Sequence, residues 1–173
     1  MSRSSSFTTP LVVSPLPDGR RWRLVRSFSY HIGSKYSKDI IKVPMGFVTD
    51  FASVPQMIIA IIGLICIVLA YYLSAPWLLW LGVAIVLLIL SIPYWGKYGK
   101  AAVVHDYLYQ FLRWMLKQPQ HKPLFDRLYY AKDNPRKFAD DVFLEAMLVG
   151  GTKPWKAKAM YRAVRLVGWL AWH

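Results

Sequence analysis

Residues 57–92 read MIIAIIGLICIVLAYYLSAPWLLWLGVAIVLLILSI. From Phe51 through Gly96 no residue carries a charge, and charge resumes at Lys97. The run divides at Ser74-Ala75-Pro76, because a proline interrupts a helix. Met57–Leu73 and Trp77–Ile92 are each near the short end of the roughly 17–25 residues that a bilayer-spanning helix needs. The expectation is a transmembrane helical hairpin covering residues 57–93. The rival is a very apolar helical hairpin inside a soluble core. The run starts too late for a signal peptide.

Charge gives the hairpin a topology. The net charge is +13, with eight Lys and Arg residues before the apolar run and fourteen after it. Basic flanks on both sides predict that both termini are cytoplasmic, with the protein in the inner membrane. The turn near Tyr71–Trp77 then faces the opposite side. Basic residues beside a bilayer also favour anionic lipid headgroups as partners. Nucleic acid is the rival explanation for a pI near 10.0. It is disfavoured because the basic residues are scattered and no nucleic-acid motif is present. The single cysteine, Cys66, cannot form an intrachain disulfide, which suits a reducing compartment.

On either side of the hairpin the chain reads as one small α+β domain, residues 10–56 and 94–173, after a flexible tail at residues 1–9. Short extended segments, "PLVV", "RRWRLVRSFSYHI" and "DIIKVP", alternate with the turn signals "PDG" and "IGSKYS". They predict a small N-terminal antiparallel sheet. Ser53-Val-Pro-Gln56 fits a capping box opening the first apolar helix. Pro93, Gly96 and Gly99 break the second. Three C-terminal helices are expected. The first runs from about Lys100 to Lys117. The second has Asn134 as N-cap, Pro135 at its first position and Gly150 as stop. The third follows Thr152; Lys158, Arg162 and Arg165 share one face, and Met160, Val164 and Val167 another. This last helix is either a packed surface helix or an interfacial one.

The candidate chemistry lies in "AAVVHDYLYQFLRWM", residues 101–115. His105 and Tyr109 are four apart and share a helical face, while Asp106 is turned about 100° from His105. In "FADDVFLEAM" the stripe of Phe143 and Met147 draws Asp140 inward with it. A buried carboxylate needs a partner, and His105 is the obvious one. The apolar hairpin returns the chain to its starting side, so Asp50 can lie near His105. His105 is thus the candidate general base, with Asp140 fixing its tautomer. Asp106, with Asp50, is the candidate site for a hard divalent cation, calcium or magnesium. The plain alternative is a structural polar network joining the sheet, the hairpin and the helices.

"GFVTDFASVP", "GKYGKAAVVHDYLY", "ADDVFLEAM" and "AMYRAVRLVG" together resemble an uncharacterised domain family common in tailed phages and prophages, over about residues 43–168. In that family the first two motifs are normally close together, so the hairpin is expected to be an elaboration of a compact core. The resemblance implies a phage setting, with phage or host membrane proteins as partners, and carries no settled activity. "HDYLY" is also similar to the His-Asp-x-x-Tyr helix of calcium-dependent secreted phospholipases. That similarity implies a lipid or ester hydrolase. In it His105 activates water, Asp106 binds calcium, Asp140 orients His105 and Tyr109 hydrogen-bonds Asp140. The disulfides and glycine-rich calcium loop of those enzymes have no counterpart here. A phosphohydrolase with a His-Asp pair on one helix would need His31 as its distant ligand, and His31 lies in an expected strand. The rival to any enzyme is a non-enzymatic phage protein of assembly, host takeover or lysis.

Overall fold

The computed structural model describes residues 7–33, 37–51, 54–90, 98–118 and 134–172. The expected cap at Ser53, the breaks at Pro93 and Gly96 and the first six residues of the tail lie outside these. The described residues form two compact units: Met1–Ala52 with Lys97–His173, and Ser53–Gly96.

In the first unit five short strands form two antiparallel sheets. Strands β1 (Val13–Pro15), β2 (Trp22–Leu24) and β5 (Val48–Thr49) make one, in the order β1-β2-β5. Strands β3 (Phe28–His31) and β4 (Ile40–Val43) make the other, pairing Phe28 with Val43 and Tyr30 with Ile41. The segment "RRWRLVRSFSYHI" is therefore not one strand: it breaks between Leu24 and Phe28 and feeds both sheets. The period of two accounts for the inner face of the second sheet. Phe28, Tyr30, Ile41 and Val43 are buried while Ile40 and Lys42 are exposed. Phe7 closes this core, stacking on Phe28 and bridging to Tyr30.

Helices α3 (Gly99–Leu116), α4 (Pro135–Val149) and α5 (Pro154–Val167) follow, with a last helical turn at Trp169–Trp172. The ends of α4 follow from local chemistry. Asn134 accepts a hydrogen bond from the Lys137 amide at 2.8 Å, Pro135 opens the helix, and Gly150 caps it. Helix α3 packs on α4, and α4 on α5, while β4 and β5 lie against α3. Ala101, Ala102, Ala139 and Ala146 are buried at or near 0% exposure. Such small side chains let helix backbones approach closely, so polar groups on α3 and α4 can meet directly.

The second unit consists of α1 (Val54–Tyr72) and α2 (Pro76–Leu90), which pack on each other across a tight turn. At the crossing, a Cβ on Gly82 would lie 2.8 Å from the Gly63 carbonyl oxygen and from Ile67 Cγ1. Only glycine fits there. This unit corrects the expected transmembrane hairpin. Among the described residues, no helix is long and apolar enough to cross a membrane. Helix α2, with 15 residues, is about 22 Å long at 1.5 Å per residue, short of the roughly 30 Å hydrocarbon layer. The run is a helical hairpin, and the two-sided topology drawn from its basic flanks has no spanning helix to rest on. The fold is mixed α+β, with antiparallel strands, five helices and a final helical turn among the described residues.

Candidate functional site

The polar centre of the first unit is Asp140, on α4, with no exposed surface. Three side chains from α3 and α5 converge on it. His105 Nε2 is 2.9 Å from Oδ1. The Tyr109 hydroxyl donates to the same oxygen at 2.7 Å. Arg165 Nη1 donates to Oδ2 at 2.8 Å. A carboxylate accepts through both oxygens, so this arrangement keeps the charge of a buried acid satisfied. Burial alone would raise the Asp140 carboxyl. The hydrogen bonds from His105, Arg165 and Tyr109 outweigh it and hold the group below its ordinary value. Burial, and then the neighbouring carboxylate, push the Tyr109 phenol well up, so it stays a donor.

Helical spacing explains why these groups meet. His105 and Tyr109 are one turn apart on the buried face of α3, and their rings lie 4.2 Å apart. Phe143, one turn after Asp140 on α4, places its ring 4.7 Å from the imidazole. Trp172 meets Tyr109 edge-on at 4.9 Å. His105 is 2% exposed. Because Asp140 can only accept, the Nε2 of His105 carries the proton. The other ring nitrogen, Nδ1, has no hydrogen-bond partner among the described residues. A neutral imidazole in this tautomer keeps its lone pair on Nδ1.

Asp106 and Asp50 are placed differently. Asp106 points to the sheet side of α3, where its Oδ2 accepts from Thr49 Oγ1 at 2.5 Å. Thr49 in turn accepts from the Phe51 amide at 3.0 Å. This chain of bonds fastens the end of β5 to α3. It also precedes a strained position, since Phe51 has a φ of 58°, a conformation rare outside glycine. Asp50 is exposed. Among the described residues no group of three or more His, Cys, Asp or Glu side chains could hold a metal ion. A calcium ion takes 6–8 oxygen ligands, and Asp106 is already engaged by a hydroxyl. Among the described residues Asp106 and Asp50 are not joined by a third such ligand, and no step below runs through a cation.

Arg165 and Thr49 were not recognisable as site residues. Spacing put Arg165 with Lys158 and Arg162 on a basic face. Its long side chain turns inward instead and is 27% exposed. Glu145 is a third such residue. One of its oxygens accepts from Tyr30 and from the Gly33 amide, each at 2.6 Å, joining β3 to α4.

The family described as "Protein of unknown function (DUF1353)" matches residues 22–70 and 74–164. The chain belongs to the DUF1353 family. The matched stretches of this DUF1353 chain include Asp50, His105, Asp106, Tyr109 and Asp140, and Arg165 lies just beyond them. No curated protein and no solved structure matches it.

Proposed function

We propose that this DUF1353 chain is an ester hydrolase in which His105 is the general base and Asp140 holds its ring. One observation carries the reading: the Nε2 contact to Asp140, at 2.9 Å, leaves Nδ1 as the acceptor. In the reaction, Nδ1 takes a proton from water as the water oxygen bonds to the ester carbonyl carbon. The carbonyl–alkoxy bond then breaks, and the leaving oxygen receives the proton from the imidazolium. Acid and alcohol result, and His105 returns to its starting form. Asp140, kept ionised by Arg165 and Tyr109, stabilises the transient imidazolium. The likeness of "HDYLY" to secreted phospholipases nominates a lipid ester as substrate. The wider motif set supports a phage or prophage setting with phage or host proteins as partners.

A second reading has its own observation. Asp140 has no exposed surface and His105 only 2%. The cavity of about 410 Å³ beside α4, lined by Ile32, Asn134, Phe138, Asp141 and others, does not include His105. A closed network of this kind is also what a non-enzymatic protein uses to lock three helices together.

The test is fatty-acid release from mixed micelles by the purified chain, in isotopically labelled water, with and without calcium. The hydrolase reading expects release with one labelled oxygen in the acid. No release under either condition leaves the clasp reading standing alone.

A further inference from the structure

We propose that the solvent face of α5 docks on an anionic lipid surface. Residues 155, 159, 162, 166 and 169 follow helical spacing along one side of α5 and the turn after it. Trp155 is 70% exposed, Leu166 75% and Trp169 52%. Arg162 and Ala159 are exposed on the same side, with exposed Lys158 at its edge. The opposite side is Ala157, Met160 and Val164, all buried. The core therefore already has its share of this helix, and Trp155 and Leu166 lie outside it.

Charge selects the occupant. No acidic residue follows Glu145, whereas Lys153, Lys156, Lys158, Arg162 and Arg165 all do. Arg165 turns to Asp140; Lys158 and Arg162 remain on the outer side. A stripe that pairs tryptophan and leucine with lysine and arginine suits the headgroup layer. Aromatic rings favour that depth and cations meet lipid phosphates. A phosphate-tracking nucleic-acid face has no use for an aliphatic side chain as exposed as Leu166. The proposal concerns a surface contact only, needs no turnover at His105, and therefore stands apart from the hydrolase reading.

The experiment is flotation of the full chain with vesicles of phosphatidylcholine alone or mixed with phosphatidylglycerol. Helices α1 and α2 expose apolar side chains of their own, so the readout is the excess binding to the anionic vesicles. Removing one surface cation weakens such binding about fivefold; the K158Q/R162Q pair should lose more than tenfold of the excess. Quenching by brominated lipid should fall in Trp155→Phe relative to wild type. Both changes are at exposed positions, so the melting transition should not move; if K158Q/R162Q fails to fold, Leu166→Ser with Trp155→Phe carries the test. Equal binding of wild type and variants, or undiminished quenching without Trp155, overturns the proposal. Loss of duplex-DNA binding with vesicle binding intact overturns it in favour of nucleic acid. A chain that binds anionic vesicles and releases no fatty acid keeps this surface and loses the hydrolase. One that hydrolyses ester and ignores vesicles does the reverse.

Discussion

Arg165 reaches from α5 to Asp140 on α4 and donates to Oδ2 at 2.8 Å, on the carboxylate oxygen that His105 does not use. Each oxygen of the buried acid is thus held by a different helix. Removing the guanidinium leaves Oδ2 of a carboxylate with no exposed surface short of a donor. Arg165→Met should lower the unfolding free energy by about 1–3 kcal/mol, and Arg165→Lys should recover part of it. Denaturant titration of the three proteins checks this; an unchanged midpoint in Arg165→Met would show the pair to be incidental.

Acid should weaken the same clasp. Asp140 has a lowered value in the folded chain, so the unfolded chain binds its proton more readily. The stabilisation is complete above the unfolded carboxyl range of about 4. It is lost as pH falls from there through the lower folded value. The difference in melting temperature between wild type and Asp140→Asn should therefore be largest near neutrality and shrink below about pH 4. A difference that grows with acid would contradict the charge assignment.

Gly168 shapes the site from behind. A Cβ there would lie 2.7 Å from the Tyr109 hydroxyl and 2.5 Å from the Val164 carbonyl oxygen. Gly168→Ala should cost about 1–3 kcal/mol. Part of that cost is the clash with the hydroxyl, so adding Tyr109→Phe should relieve some of it. A double-mutant cycle measures the coupling, and strict additivity would remove the contact from the account.

How much of this could be read from the chain varies with the range of the interaction. The ends of α4 were legible because Asn134, Pro135 and Gly150 act within a turn of where they sit. The approach of His105 to Asp140 was legible because Phe143 and Met147 fix which side of α4 faces inward. Arg165 was not, because its flexible side chain leaves the face that spacing assigns to it. The Thr49–Asp106 bond was not, because 57 positions separate its ends. The apolar run was misread for a different reason. The sixteen residues of Trp77–Ile92 sit at the margin of the spanning range, and the α2 described, Pro76–Leu90, has only 15.

The hairpin should be separable. Residues Ser53–Gly96 form their own compact unit, and every bond to Asp140 described above comes from the other. Replacing residues 57–92 with a short polar linker should leave a chain that unfolds cooperatively, with Arg165→Met still destabilising it. A product without a cooperative transition would mean that the hairpin is needed to fold the site.

Ester turnover by His105→Asn, read beside its stability, separates a base from a clasp. Asparagine can still hydrogen-bond Asp140 but cannot take a proton near neutral pH. Its stability should lie within about 1 kcal/mol of wild type, and its turnover should fall by at least about 10²-fold. A folded His105→Asn chain that hydrolyses ester at the wild-type rate would contradict the assignment of His105 as base.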